Sequence, residues 1–502
     1  MNNKINAFIL FLTLVLIFTP MLISCSQGTN EMDDKTTAAG ATGTESDEEN
    51  AANEKERERL YPNVPDTDWD GRVLRVLGRV NTTYDQFTNF EIYAETEDGE
   101  IVNDAVFRRN ADIQEKYNVT ISQTLVDDTA STLSKFVNAG DDMYDFAFIR
   151  FEHIAPLAQN GFLYNLNTLD YIDFSKPWWN ENVNRCFSMV NKLYYTTSDF
   201  TLMDKNRTFI TLYNRDLGEM YDMINPYDLI KDNKWTIDKM HEMCAAVAGD
   251  VNGDGVMDNL DRYGACVEYY SFYVMAVGAG NTIASKDAND LPIIHMNNDH
   301  MIASIDKIMS LLCDKSITIF VDDFLSKEPA GWDMGPKMFN ENRALFAQMF
   351  PHSLKTMSSI TETNYGVITN PKFDEKQDTY RTTAVQAMVV AIPVSCSEPN
   401  FPAFMLEVLS AYSRYTTLPA FYEVACKIKY TYDVESAEML DLTFSDIVYD
   451  IGSLYNWGGL AAILQVEIPS SKQNNFVSLY AAKESKALAD LQKTTDAFLA
   501  LE

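Results

Sequence analysis

The chain has 502 residues, 46% hydrophobic and 23% charged, enough for two or three domains or one large two-lobed unit. Its formal net charge is −33, which disfavours nucleic acid and anionic lipid as partners and leaves neutral ligands such as sugars, or cationic ones.

Taken in chain order, the first segment is an export signal. Lys4 provides a thin basic start, and Ala7 to Ile23 is an apolar run of 17 residues, short for a membrane span. The run ends in Leu22-Ile23-Ser24-Cys25, which resembles the lipobox of bacterial lipoproteins, whose Cys is acylated. This predicts a signal peptide over 1–24, lipidation at Cys25 and a body outside the cytoplasmic membrane. Residues 25–66 read as an acidic, disordered tether, and the folded body runs over 67–502. The six cysteines after Cys25 form no C-x-x-C pair, so they read as small buried residues, with one or two disulfides open.

Within the body, Arg72 to Gly78 has strand character, and Val102 to Tyr117 puts Val106, Ile113 and Tyr117 on one helical face. Asn118 to Ser122 and Met143 to Arg150 read as strands, and a short helix from Ile154 closes on Gly161. Strands alternating with helices predict an α/β layered domain with a largely parallel sheet. The middle, about Leu212 to Phe346, is more helical, with Thr236 as N-cap of a helix that runs to Ala248. Strand character returns at Tyr365 to Ile368 and Ala387 to Pro393, followed by a helix over Phe401 to Tyr412 and a helical tail.

The sharpest motif is Asp250 to Asp261, DVNGDGVMDNLD. Asp250, Asn252, Asp254, the Val256 carbonyl, Asp258 and Asp261 stand at the ligand positions of an EF-hand-like loop, with Gly255 at its turn. A hard cation wanting six to eight oxygens suits this set, so structural Ca2+ is the expected cofactor; the alternative is an Asx-turn network without an ion. Position 12 is Asp261 rather than the longer Glu, and no second loop exists, which argues for a brace rather than a sensor.

Catalytic motifs are mostly missing, and the chain is not expected to be an enzyme. His241-Glu242-Met243-Cys244 begins like H-E-x-x-H but has Ala245 where the second His belongs, and neither a P-loop nor G-x-S-x-G occurs. Aromatic residues make up 12% of the chain and cluster beside loop-forming residues at Trp178-Trp179, Tyr194-Tyr195, Tyr269-Tyr270, Trp332 and Tyr455-Asn456-Trp457. Such rings stack on sugar C–H faces while Asn and Asp receive hydroxyls. The expected ligand contacts are Trp178, Trp179, Asp199, Tyr269, Trp332 and Trp457.

The order of segments resembles the extracellular solute-binding proteins of family 1, the maltodextrin-binding-like lipoprotein receptors of ABC importers. The resemblance rests on Tyr144-Asp-Phe-Ala-Phe with Ile154 to Gly161, on Lys192-Leu-Tyr-Tyr195 leading to Tyr213-Asn-Arg-Asp216, on Trp235-Thr236 and its helix, and on Tyr365 to Pro371 leading to Ala391-Ile-Pro393. It implies a two-lobed α/β fold of the periplasmic-binding-protein type II kind. Lobe 1 would span about 67–195 and 350–415, lobe 2 about 200–345 and 416–502, with crossings at Tyr194 to Asp199 and Leu345 to His352. It further implies a carbohydrate held between the lobes by hinge closure, an ABC permease as membrane partner, and attachment to the outer face of the cell membrane through the lipid anchor. Two other readings remain: a calcium-dependent surface glycosidase, and a binding protein that feeds a sensor kinase or adhesion system.

Overall fold

The computed structural model describes residues 61–326, 331–360, 363–429 and 433–501. The signal peptide, Cys25 and the tether as far as residue 60 lie outside the described residues.

The first lobe starts with β1 (Arg72–Arg79), α1 (Ile101–Tyr117), β2 (Val119–Val126), α2 (Thr129–Ala139), β3 (Phe146–Arg150) and α3 (Phe151–Gln159). The Glu100 carboxylate caps α1, accepting from the N–H groups of Val102 and Asn103 at 3.0 and 2.9 Å. Asn118 ends that helix in the left-handed region, φ 48°, which turns the chain directly into β2. β1 then pairs in parallel with β2 from Arg72↔Val119 to Arg79↔Val126, and with β3 on its other side.

The chain crosses to a second sheet made of β4 (Ile210–Asn214), β5 (Tyr263–Val267), β6 (Thr318–Phe320), β7 (Ala344–Met349) and β8 (Tyr365–Ile368), in spatial order β8-β4-β7-β5-β6. All residues of these strands are buried, as expected of a sheet covered on both faces. Helices α4 (Ile237–Val247), α5 (Tyr270–Gly278), α6 (Asp299–Leu312) and α7 (Gly331–Asn340) connect them. Thr236 caps α4 as expected, its Oγ1 accepting from Lys239 N–H at 3.2 Å. Helix α4 lies so close to β5 that a Cβ on Gly264 would sit 2.2 Å from the Cα of Cys244. Only glycine permits that approach.

The chain returns through β9 (Met388–Ala391), antiparallel to β3, completing a first sheet ordered β9-β3-β1-β2. Helix α8 (Asn400–Tyr415) buries Phe401, Phe404, Leu406 and Leu409 in the core of that lobe. A third passage leads to α9 (Val434–Ser445), which lies on β8; Ser436 Oγ accepts from Val367 N–H at 2.9 Å. The last helix, α10 (Phe476–Ala500), covers the turn that carries Trp457. The result is the two-lobed type II α/β fold.

Three details differ from the sequence reading. β8 joins the second sheet by pairing with β4, so residues 365–368 belong to lobe 2 and not to the segment 350–415 of lobe 1. Leu345 to Met349 is not a crossing but lies within β7, paired with β4 and β5 inside lobe 2. The return crossing lies further on, where Thr208 bridges Ala384 and Thr196 exchanges hydrogen bonds of 3.1 and 2.9 Å with Val390. Uniform burial hid the difference, since each of these strands is as apolar as its neighbours. Finally, Cys186, Cys244, Cys266, Cys313, Cys396 and Cys426 are all free, so none of the disulfides left open is formed.

Candidate functional site

Parallel strands carry their following loops to one end, and ligands of α/β proteins collect outside the carboxyl ends of those strands. Here the carboxyl ends of β1 in one sheet and of β5, β6 and β7 in the other open onto one cavity of about 340 Å³. Tyr84, Gln86 and Phe87 come from the loop after β1, and Gln386 precedes β9. Glu268 and Tyr270 follow β5, Val321 and Asp322 follow β6, and Phe350 and His352 follow β7. Arg207 enters from the first crossing.

Arg207 is the centre of this arrangement. It is buried, with its guanidinium 3.6 Å from the centre of the Phe350 ring and 4.6 Å from that of Phe87. Its Nη2 donates to Gln386 Oε1 at 2.7 Å, while its Nε has no partner among the described residues. Gln386 holds φ at 54°, a region that non-glycine residues seldom occupy, and the Arg207 carbonyl accepts from Val385 N–H at 3.1 Å. The two crossing strands therefore fix the arginine from both its backbone and its side chain. Burial pulls its pKa down to about 10, with the charge of Glu268 acting the other way, so it stays cationic at neutral pH.

The opposite wall is acidic. Burial raises the Glu268 carboxyl to about 7, opposed by Arg207 and reinforced by Asp322. Asp322 is also raised by burial, although its Oδ2 accepts from Tyr269 N–H at 2.8 Å. His352 stacks on Phe350 with ring centres 5.5 Å apart, and burial, then the charge of Arg207, drives its pKa to about 3, leaving it neutral. Among the described residues, His352 Nδ1 and Gln348 Oε1 have no hydrogen-bond partner. A buried polar group gains from a hydrogen-bond partner, so these atoms keep capacity that water or a bound molecule can meet.

The contacts expected from sequence do not converge here. Trp178 is fully buried in the core of lobe 1, and Trp179 donates its Nε1–H to Glu407 Oε2 at 2.9 Å in the same core. Asp199 is buried and paired with Arg414 at 2.9 Å, its pKa raised by burial. Trp457 stacks on Tyr455 with ring centres 5.2 Å apart and donates to Thr494 Oγ1 at 2.9 Å beneath α10. Large aromatics gain most from burial, and these four positions were spent on packing or internal pairing. Tyr269 is near the site but turns away, donating its hydroxyl to Asp323 while its neighbours Glu268 and Tyr270 face the cavity. Trp332 belongs to α7, whose Gly335 and Pro336 line the cavity; its side chain lies outside the described residues. The sequence reading missed Arg207, Glu268, Phe87 and Phe350. The available signal was position, since Glu268 and Phe350 stand one residue beyond fully buried strands.

The loop Asp250 to Asp261 offers the all-oxygen donors that a hard cation prefers, and Gly253 and Gly255 take φ of 77 and 80° at its turn. Its side chains bond to the loop's own backbone. Asp250 accepts from Gly253 and Gly255 N–H at 2.6 and 2.7 Å, and Asn252 Oδ1 from Asp254 N–H at 2.9 Å. Asp254 Oδ1 accepts from Val256 N–H at 2.8 Å and Asp258 Oδ1 from Leu260 N–H at 2.8 Å. Asp261, fully buried, accepts from Val251 and Asp258 N–H at 3.0 and 2.9 Å. The donor chemistry fits calcium, while in this conformation the loop is closed by Asx-type hydrogen bonds. Among the described residues, the trio whose acidic or thiol ligand atoms lie within 4.8 Å of one another is instead Asp142, Asp145 and Cys396. Arg75 neutralises that trio, bonding Asp142 at 2.6 Å and Asp145 at 2.8 Å.

No protein-family model matches the chain, and no curated protein matches it in sequence. Many solved structures share its fold. The Listeria monocytogenes substrate-binding protein Lmo0181, solved with cycloalternan, aligns over 86% of this chain and 100% of its own, at 11% identity and a TM-score of 0.52. A cyclo/maltodextrin-binding protein complexed with maltotetraose aligns over 84% and 97%, at 12% identity and 0.55. UspC of M. tuberculosis aligns over 83% and 100%, at 14% identity and 0.54.

Proposed function

We propose that this chain is the lipid-anchored, extracellular substrate-binding component of an ABC importer, which captures a sugar or oligosaccharide between its lobes and delivers it to a permease. The cleft carries the reading. Phe87, Tyr270 and Phe350 offer apolar ring surface beside hydrogen-bonding atoms with unspent capacity, namely Arg207 Nε, Gln348 Oε1 and His352 Nδ1. A pyranose needs both, C–H faces covered by rings and hydroxyls met by directional partners. The two structural relatives solved with cycloalternan and maltotetraose support a carbohydrate ligand. The paired crossing strands support closure by a hinge. Cys25 and the preceding apolar run support anchoring at the outer face of the membrane. Calcium in the loop Asp250 to Asp261 would brace lobe 2 without touching the ligand.

Calorimetric titration against a panel of mono- and oligosaccharides tests the assignment, with binding of at least one glycan expected. Silence across the panel together with tight binding of a peptide or polyamine would overturn the ligand class.

A further inference from the structure

Three guanidinium groups surround one ring at the cleft. Arg207, Arg79 and Arg150 lie 4.6, 5.4 and 5.9 Å from the centre of Phe87, in a chain whose net charge is −33. Arg79 is buried, its Nη1 lacks a partner among the described residues, and its counter-ion Asp127 stands 3.7 Å away at the surface. Arg150 bonds Glu152 at 3.1 Å. Arg207 has no carboxylate within 4 Å among the described residues, although it is buried in the cavity wall. Removing a charge from water costs several kcal/mol unless an opposite charge meets it. The neutral amide of Gln386 and two aromatic faces return only part of that.

We infer that the cleft selects a carboxylate-bearing sugar, a uronic acid unit whose carboxylate completes Arg207. This rests on the carbohydrate reading above and narrows it. A hydroxyl would satisfy Nε as a hydrogen-bond acceptor but bring no opposite charge into contact with the guanidinium, whereas a carboxylate does both. The acidic wall does not oppose such a ligand. Arg207 keeps its charge at neutral pH, while Glu268, at about 7, is able to give its charge up. Once protonated, Glu268 donates to a sugar hydroxyl instead of repelling the ligand. Asp322, also raised by burial, already accepts from Tyr269 N–H, and Glu152 is engaged by Arg150. Tyr270 has its hydroxyl pKa raised and His352 is neutral, so neither adds charge at pH 7.

The test is calorimetric titration of the full chain in detergent micelles at pH 7. The probes are trigalacturonate, trimannuronate and a chondroitin tetrasaccharide, each beside its carboxyl-reduced form, with maltotriose as a neutral standard. At least one acidic probe should bind tenfold or more tighter than its reduced form, and Arg207→Gln should bring that ratio below threefold. Its binding should also tighten from pH 8 to pH 6 with proton uptake, read from the dependence of the enthalpy on the buffer. Equal affinity for acidic and reduced forms in the unmutated chain, or binding of neutral glycans alone, would overturn the inference and leave the carbohydrate reading standing. Silence toward acidic and neutral glycans alike would overturn both. The comparison of ligands on the unmutated chain stands whether or not the variant folds.

Discussion

Glu268→Gln is the substitution for which the structure gives the clearest number. The carboxyl faces the cleft and is raised from 4.5 to about 7, chiefly by burial, with no hydrogen bond from a described protein group to stabilise its anion. An acid whose pKa is higher folded than unfolded destabilises the fold when ionised. Its penalty is small below pH 4.5, grows as pH rises between 4.5 and 7, and is complete above pH 7. A shift of about 2.5 units at 1.36 kcal/mol each gives ~3 kcal/mol at pH 8 and under ~1 kcal/mol at pH 5. Cleft water screens part of this, so a measured span of about 2 kcal/mol is the working figure. Urea denaturation of the unliganded protein from pH 5 to 8 reads it directly. Glu407, also held at about 7 by burial, gives the protein a second loss in the same direction, so the comparison with the variant isolates Glu268. Glu268→Gln should gain stability relative to the parent as pH rises, by about 2 kcal/mol between pH 5 and 8. Parallel pH profiles for the two proteins would refute the claim that the site holds a costly carboxylate.

Phe350→Ala, which removes a ring from both the cavity and Arg207, should weaken glycan binding tenfold or more, about 1.4 kcal/mol per decade by titration calorimetry. Trp178→Ala should behave oppositely: it empties a fully buried site, costing about 3–5 kcal/mol in urea denaturation, while the folded fraction keeps its affinity within threefold. Lost affinity at unchanged stability would return Trp178 to the ligand. Calcium removal with a chelator should lower the melting temperature by about 0.5–1.5 °C and leave glycan affinity within a few-fold. A weak extracellular site contributes only about 0.4–1.4 kcal/mol at ~1 mM calcium. Loss of all binding on chelation would place the ion in the ligand mechanism.

Much of the fold was legible because its elements carry local signals. The helix expected over Val102 to Tyr117 forms over Ile101–Tyr117, and the strand expected over Tyr365 to Ile368 has those bounds. Thr236, Asn118 and Gly161 end or begin their elements through capping and left-handed geometry, which depend on a few neighbouring residues. Lobe membership was not local. Tyr365 to Ile368 and Met388 to Ala391 are both short buried strands, and only pairing sends one to β4 and the other to β3. Nothing in the composition of a fully apolar strand names its partner, because both its faces are covered in either sheet.

The same non-locality separates the aromatic clusters from the site. Adjacent aromatics mark places where a large ring is useful, and burial is its commonest use, as Trp178, Trp179 and Trp457 show. What distinguishes the cleft residues is that they stand just past a strand end where two sheets face each other. Glu268 follows β5 directly, Asp322 stands two residues beyond β6 and Phe350 directly follows β7. In the sequence each is an unremarkable residue after an apolar run. The Tyr269-Tyr270 pair came nearest because it sits at such an end, yet one ring turns to Asp323 and only the other lines the cavity. Arg207 had no signal at all. Its importance arises when Phe87 and Phe350, 263 positions apart in the chain, close on a guanidinium with no carboxylate within 4 Å among the described residues. A buried guanidinium without a contacting carboxylate among the described residues is a property of the assembled cleft, and it is the feature that a carboxylated ligand would resolve.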